Sequence, residues 1–486
     1  MSNQMPHARS RFTPLVSFAR DQSGMTIPML GLTFMVLMGF VGTAIDTARY
    51  QLVQSRLSFA LDAAGLAAGS TMNTTDLDTE LAKYMKANFQ DGYMGAHTPT
   101  VSSVVSDDNL VISLTASTSV PTTFMSLFGI TSLSLTATSE ITRESTGLEL
   151  VMALDITGSM NSSGKLSALK SAATSLIDIL YGSKTTVDKL WVGLVPFSQA
   201  VNIGKTRTSW IDQTNFATLD WATTSWAGCV DARDDSSGDT TDMTPAAQKY
   251  KAYHAPSTDN RAYPYNSYTY TSVNKWVTKR DYYGNPIQYA SNLGTTLGPN
   301  AYCMTELTPM TASKATILSG INALTANGNT HINLGAIWAW NMLSPNWRGQ
   351  WGGEMDTNSL PLDYGTEHMN KAVILLTDGE NTMSQQIYTA YGYLSDGRLG
   401  TTTNTSTAKT TLDKKLSTVC TAMKNKGIYI YTIALGSSSD ISTSTRTLLK
   451  GCASSSNYYF ESPSATELKN VFNTIADSLS NLRISQ

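Results

Sequence analysis

Leu148-Glu149-Leu150-Val151-Met152-Ala153-Leu154-Asp155-Ile156-Thr157-Gly158-Ser159-Met160 is the stretch whose reading decides the fold. An apolar run ends on a carboxylate, two hydroxyl residues follow at alternate positions, and a helical pattern begins at Lys165. A second apolar run, Lys371 to Leu376, ends on Thr377-Asp378-Gly379-Glu380, and Gly328-Asn329-Thr330 lies between the two. Short apolar runs bounded by turn residues read as buried strands. In an open parallel sheet, ligands gather beyond the carboxyl ends of the strands, at a topological switch point. Asp155 and Asp378 each follow such an end. Their carboxylates, with nearby hydroxyls, suit a hard cation such as Mg²⁺. Each piece alone is ordinary: an Asp after a strand is often a helix N-cap, and Thr-Asp-Gly is turn chemistry.

Taken in order, D-x-T-x-S, a distant Thr and a distant Asp resemble the metal-ion-dependent adhesion site of von Willebrand factor A domains. The resemblance implies that Asp155, Thr157, Ser159, Thr330 and Asp378 hold one divalent ion, Mg²⁺ with Mn²⁺ or Ca²⁺ as substitutes. It also implies a position left open for an acidic group from a partner. Thr157 stands where the family usually has Ser and keeps the hydroxyl. The implied fold is α/β, a doubly wound Rossmann-like domain. The pattern supports this independently. Strand-like runs at 148–154, 190–195, 371–376 and 428–435 alternate with helical segments at 165–181, 311–325, 334–344, 410–426 and 466–483. That alternation argues for a parallel sheet covered on both faces. The domain, 146–486, exceeds a minimal A domain through insertions at about 198–308, 346–369 and 385–406.

The largest insertion is rich in Tyr, Trp, Asn and Ser and contains Tyr263 to Tyr270 and Asp231 to Asp235. Long irregular segments are often functional, and Tyr and Trp favour contact surfaces. The competing reading is a self-packed cover pinned by a disulfide.

Met25 to Ile45 contains no charged residue and has the length needed to span a bilayer. Arg9, Arg11 and Arg20 precede it, so the positive-inside bias places residues 1–24 in the cytoplasm and the bulk of the chain outside it. Gly42-Thr43-Ala44 offers the alternative of a cleaved signal peptide, but the apolar run is long for one. Residues 49–69 continue as good helix formers, with a narrow stripe at Leu57, Leu61, Ala64 and Ala68. This is the shape of a pilin stem. A small α+β module follows at 71–145, with a helix expected over Thr75 to Phe89, a short helix over Pro121 to Phe128, and alternating strands at 110–115 and 132–138.

Asp21-Gln22-Ser23-Gly24, Ala44-Ile45-Asp46-Thr47-Ala48-Arg49 and Leu61-Asp62-Ala63-Ala64-Gly65-Leu66-Ala67-Ala68 resemble the N-terminal domain of TadG-like Flp-pilus assembly proteins of bacterial tight-adherence machinery. Trp226-Ala227-Gly228-Cys229-Val230 and Trp338 to Pro345 echo the same family. The resemblance implies a single-pass protein of the bacterial inner membrane. Its implied partners are pilus or secretion-system proteins, or a surface protein bearing an acidic residue. One departure stands out: related pseudopilins carry Glu five residues after a processing Gly, and here Met29 follows Gly24 at that distance. Pro28 falls in the first turn of the helix, where proline is tolerated.

The 486 residues carry a net charge of −3 with only 15% charged residues, which argues against the basic face of a nucleic-acid binder. The four cysteines form no C-x-x-C, so zinc and thioredoxin-like chemistry are disfavoured. An exported chain suits disulfides. The economical pairing is Cys229–Cys303 across the insertion and Cys420–Cys452; four separate thiols are the alternative. No G-x-S-x-G, Walker A or H-E-x-x-H motif occurs, so no enzyme is expected. His331, beside Thr330, is expected at the surface or at a helix start. Three classes remain: a metal-gated binding component, an architectural subunit with a structural metal, and a channel-associated or chelatase-like subunit, against which the stem argues.

Overall fold

Helix α1, Thr26–Gly69, runs unbroken for 44 residues, about 66 Å at 1.5 Å per residue. Its first part exposes Ile27, Leu30, Phe34 and Phe40, whereas its second part buries Val53, Leu57, Ala60, Leu61 and Ala64. It is long and apolar enough to cross a membrane. The computed structural model describes residues 26–69, 77–106, 111–142, 146–233, 238–257, 274–437, 440–462 and 464–482. The upstream arginines, the Asp21–Gly24 motif, Met25 and Thr75 lie outside them, as does the side chain of Ala68. The chain divides into two units, 1–143 and 144–486.

In the first unit, α2 (Leu77–Asn88) packs Leu81 and Met85, one turn apart, into the core that Leu57 and Leu61 share. A three-stranded antiparallel sheet completes it: β1 (Thr100–Val105), β2 (Val111–Pro121) and β3 (Ser132–Thr142), in that order. On β2, Ile112, Leu114 and Ala116 face the core at alternate positions as the pleat requires. Gly65 permits the helix to approach closely, because a Cβ there would sit 2.2 Å from Ile141 Cδ1. Two expectations need correction. β1 was not foreseen, since its serines dilute the apolar alternation. The short helix expected over 121–128 is a single 3₁₀ turn at Met125–Phe128, because β2 continues to Pro121.

The second unit is built on a six-stranded sheet. In chain order its strands are β4 (Gly147–Asp155), β5 (Leu190–Phe197), β6 (Thr308–Thr311), β7 (Met369–Thr377), β8 (Tyr429–Leu435) and β9 (Tyr459–Ser462). In space the order is β6-β5-β4-β7-β8-β9. Only β6 is antiparallel to its neighbour. Numbered from the first strand this is 3-2-1-4-5-6, the order of a doubly wound fold, which reverses between β4 and β7. Along β4, Leu150, Met152 and Leu154 point to one face and Val151 and Ala153 to the other. The first face is covered by α3 (Lys165–Tyr181), α4 (Lys314–Asn322) and α8 (Ala465–Leu482). The other is covered by α5 (Ile332–Leu343) and α6 (Thr405–Asn425).

The four central strands and most helices match expectation within a few residues. The expected helix at 311–325 starts later, because β6 occupies its beginning and Ser313 then caps α4 by accepting from Thr316 N. The edge strands β6 and β9, four residues each, and α7 (Thr443–Cys452) were not anticipated. Too few residues lie in β6 and β9 for periodicity to register.

Much of the described part of the large insertion is packed, although Tyr282 and Tyr283 are exposed. Trp210, Trp226, Tyr250 and Tyr253 are buried in the same core as α5. Trp210 stacks on Trp338 of α5 at 6.2 Å and meets Trp347 edge-on at 5.3 Å. Every residue of α5 is buried in consequence. These contacts favour the cover reading for this part; Tyr263 to Tyr270, Asp234 and Asp235 lie outside the described residues. Cys229 pairs with Cys303 and Cys420 with Cys452, with Cα–Cα distances of 5.6 and 5.1 Å.

Candidate metal centre

β4 and β7 are the parallel neighbours at which the strand order reverses, with Leu154 opposite Leu376. Asp155 ends β4 and Asp378 follows the last residue of β7, so both carboxylates project at the switch point. Asp155 Oδ1 accepts from Thr157 N at 2.9 Å, and its Oδ2 accepts from Thr377 Oγ1 at 2.6 Å. Ser159 Oγ donates to Asp378 Oδ1 at 2.6 Å and lies 3.1 Å from Thr157 Oγ1. Thr330 joins the group from a different loop. A Cβ on Gly379 would sit 3.8 Å from Thr330 Oγ1 and 4.0 Å from Ser159 Oγ. The five expected residues are therefore together.

Backbone bonds hold the three loops. Gly158 N donates to Gly328 O at 3.0 Å and Asn327 N to Ile156 O at 2.9 Å. Asn329 N donates to Gln199 Oε1 at 2.7 Å. Gly328 has φ +89°, and a Cβ there would meet Gln199 Oε1 at 2.8 Å, so this position favours glycine on two counts. Thr330 N donates to Thr382 Oγ1 at 3.0 Å, and Thr382 N returns a bond to Thr330 O at 2.9 Å. Ile332 N donates to Asn381 Oδ1 at 2.8 Å. Gln199, Thr377, Asn381 and Thr382 thus position the site although sequence reasoning did not single them out. Thr377 lies within the Thr377-Asp378-Gly379-Glu380 motif; the others carry no local signal, since their partners are remote in sequence.

Asp155, Thr157, Thr330 and Asp378 are buried, whereas Ser159 is exposed. The site therefore opens beside Ser159. Burial, reinforced by the charge of Asp378, pushes the Asp155 carboxyl up to about 7. Lys165, at the start of α3, donates to Asp378 Oδ2 at 3.0 Å with its side chain 12% exposed. The sequence marks it only as the beginning of a helix. His331 stands at the start of α5, one of its two expected places, but it is buried rather than at the surface, stacked on Tyr391 at 5.6 Å. Tyr391, from the insertion at 385–406, helps remove it from the surface.

The donor set fits a hard divalent ion. Among the described residues no group of three or more His, Cys, Asp or Glu forms, so an ion here would rest on two carboxylates, three hydroxyls and water. That composition suits Mg²⁺, which keeps several waters and few carboxylates. Because Ser159 spends its proton on Asp378, its lone pairs remain available to a cation.

A family model described as putative Flp pilus-assembly TadE/G-like matches residues 24–71. No curated protein matches the sequence significantly. Solved structures similar to this chain include the vWF domain of the type V pili tip protein Mfa5 from Porphyromonas gingivalis, at 13% identity and a TM-score of 0.35, covering 70% of this chain and 97% of that one. Another is the pilus adhesin SpaC from Lactobacillus rhamnosus GG, at 12% identity and a TM-score of 0.34, covering 79% of this chain and 34% of that one. Proximal thread matrix protein 1 from the mussel byssus, with a zinc-occupied MIDAS motif, is similar at 12% identity and a TM-score of 0.31 over 70% of this chain. The chain spans 47% of the mussel protein. At these scores the fold rests on the strand order and on the three-loop site rather than on the likenesses. Over residues 24–71 the chain is thus similar to the TadE/G-like Flp pilus-assembly family, and its second unit has the doubly wound strand order of a von Willebrand factor A-type fold.

Proposed function

We propose that this is a membrane-anchored pilus-assembly or tight-adherence component whose A-type domain binds a protein partner through a divalent ion, and that it is a binding protein rather than an enzyme. The observation that carries the reading is the convergence of Asp155, Asp378, Thr157, Ser159 and Thr330 at the switch point. A bound Mg²⁺, or Mn²⁺ or Ca²⁺ in its place, supplies a Lewis-acidic contact for a carboxylate presented by the partner. The chain's own residues do the rest. The buried Asp155 and Asp378 concentrate negative charge, the hydroxyls add neutral oxygen donors, and the exposed Ser159 edge leaves the approach open. Helix α1 crosses the bacterial inner membrane once, with Arg9, Arg11 and Arg20 on the cytoplasmic side. The partner is a pilus or secretion-system protein, or a surface protein with an acidic residue.

Co-purification from envelope membranes, with Mg²⁺ or with chelator, tests this. Partners retained by the wild type in Mg²⁺ and lost both in EDTA and in a folded Asp155→Ala variant support it. Partners unaffected by either change favour the second reading, an architectural subunit whose metal is only structural. One observation favours that alternative: Lys165 already neutralises Asp378 from within the chain.

A further inference from the structure

The loop between β2 and β3 lies against the apolar part of α1. Phe128 Cζ is 3.2 Å from where a Cβ on Gly39 would stand, and Phe124 Cβ is 2.5 Å from the corresponding position on Gly42. Both glycines lie within the uncharged span of the helix, and any side chain at position 42 would displace the loop. Asp46, at the end of that span, is buried and holds the loop by accepting from the amides of Thr123, Phe124 and Met125 at 2.8 to 3.2 Å. Arg49 Nη1 adds a bond to Thr123 Oγ1 at 2.9 Å. The loop is thus fastened to one level of the helix.

Beside the uncharged hydroxyls of Thr123, Ser126 and Thr131, it exposes three large apolar side chains. Leu127 is 79% exposed, Phe128 65% and Ile130 43%. No charged residue occurs from Pro121 to Ser139. Gly39 is seven residues before Asp46, about 10 Å along the helix axis. Interfacial elements bury their apolar faces roughly 5–10 Å into the headgroup and acyl boundary. The tip of the loop therefore stands at the depth of the acyl chains when α1 spans the bilayer with Asp46 at its edge.

We infer that the β2–β3 loop is a second membrane anchor: Leu127, Phe128 and Ile130 insert into the leaflet from which α1 emerges, and Asp46 sets their depth. The occupant of this surface is lipid, because the exposed residues continue the apolar surface of the helix segment on which Phe128 rests. The proposal rests on α1 crossing the membrane.

Nitroxide labels on cysteines introduced singly at Leu127, Phe128 and Ile130 in the full chain, reconstituted in phosphatidylethanolamine–phosphatidylglycerol vesicles, test it. Phe34 in the helix and Tyr282, 92% exposed in the second unit, serve as lipid and water references. Relaxation by oxygen is expected to match Phe34. Relaxation by a water-soluble nickel chelate is expected to be roughly tenfold below that at Tyr282, since the hydrocarbon region excludes water. Nickel access equal to Tyr282, with Phe34 protected, overturns the proposal while leaving the helix in place. Low access to both reagents means that protein covers the loop, and also overturns it. Nickel access at Phe34 itself overturns the spanning helix and the second anchor together.

Discussion

Lys165 and Asp378, 213 residues apart in sequence, meet in a 3.0 Å charge-assisted hydrogen bond at the mouth of the switch-point site. The ammonium group stands where positive charge is wanted, so it competes with a cation for the same carboxylate. Lys165→Met is expected to raise Mg²⁺ affinity about tenfold, roughly 1.4 kcal/mol, a modest share of the interaction of one unit charge at this range. Isothermal titration calorimetry at fixed ionic strength measures it. An unchanged affinity would mean that the lysine moves aside without cost.

Thermal unfolding should reveal the ion directly. A ligand that binds only the folded state adds about 2.7 kcal/mol at a hundred times its dissociation constant. Mg²⁺ should therefore raise the wild-type midpoint and leave Asp155→Ala unmoved. The metal-free protein should also respond to pH at this residue. The folded carboxyl is held at about 7 against an ordinary 3.8, so between those values the folded state keeps a proton that the unfolded chain has released. Its contribution then favours folding at low pH and is lost as pH rises to 7. A cation must displace that proton, so Mg²⁺ affinity should climb between pH 6 and 8. A flat affinity profile would contradict this.

His331 gives the opposite slope. Burial pushes its imidazole down to about 3, so it stays neutral in the fold while the unfolded chain takes up a proton below about 6.5. Stability should fall as pH drops from 6.5 toward 3, by about 1.4 kcal/mol per pH unit over the steep part. Urea denaturation of wild type and His331→Phe at pH 7 and pH 5 isolates the contribution. The variant should lose less on acidification, and equal losses would place the imidazole in contact with water.

Removing Cys229–Cys303 should loosen the insertion before the sheet. The bridge joins residues 74 apart, for which the chain-entropy estimate is about 4 kcal/mol. In a double Cys→Ser variant, hydrogen exchange should accelerate first around Trp210, Tyr250 and Tyr253, with β4 and β7 still protected. Simultaneous loss of protection in all these segments would show that the cover and the sheet unfold as one.

The sequence revealed the centre of the fold better than its rim. β4, β5, β7 and β8 are buried on both faces and read as continuous apolar runs, and the same runs delivered Asp155 and Asp378 to one place. The rim is different. β6 and β9 are four-residue edge strands whose pairing is decided by their neighbours. The five ligand candidates were legible because each lies in a short ordered motif. Gln199 and Asn381 were not, because each acts on backbone amides that only the fold brings near. The place of His331 at a helix start was legible, but its burial was not, because it depends on Tyr391, which lies in a different insertion.

The three loops at the switch point come from positions 155–159, 330 and 378, and each is held by bonds to another. No single loop of the chain contains the full set of oxygens. With α1 crossing the membrane as proposed and the rest of the chain beyond it, the ion is captured where the sheet closes, outside the cytoplasm. The identity of the metal is then decided by geography as much as by coordination: whichever hard cation is most abundant at the place of folding has the first opportunity to bind.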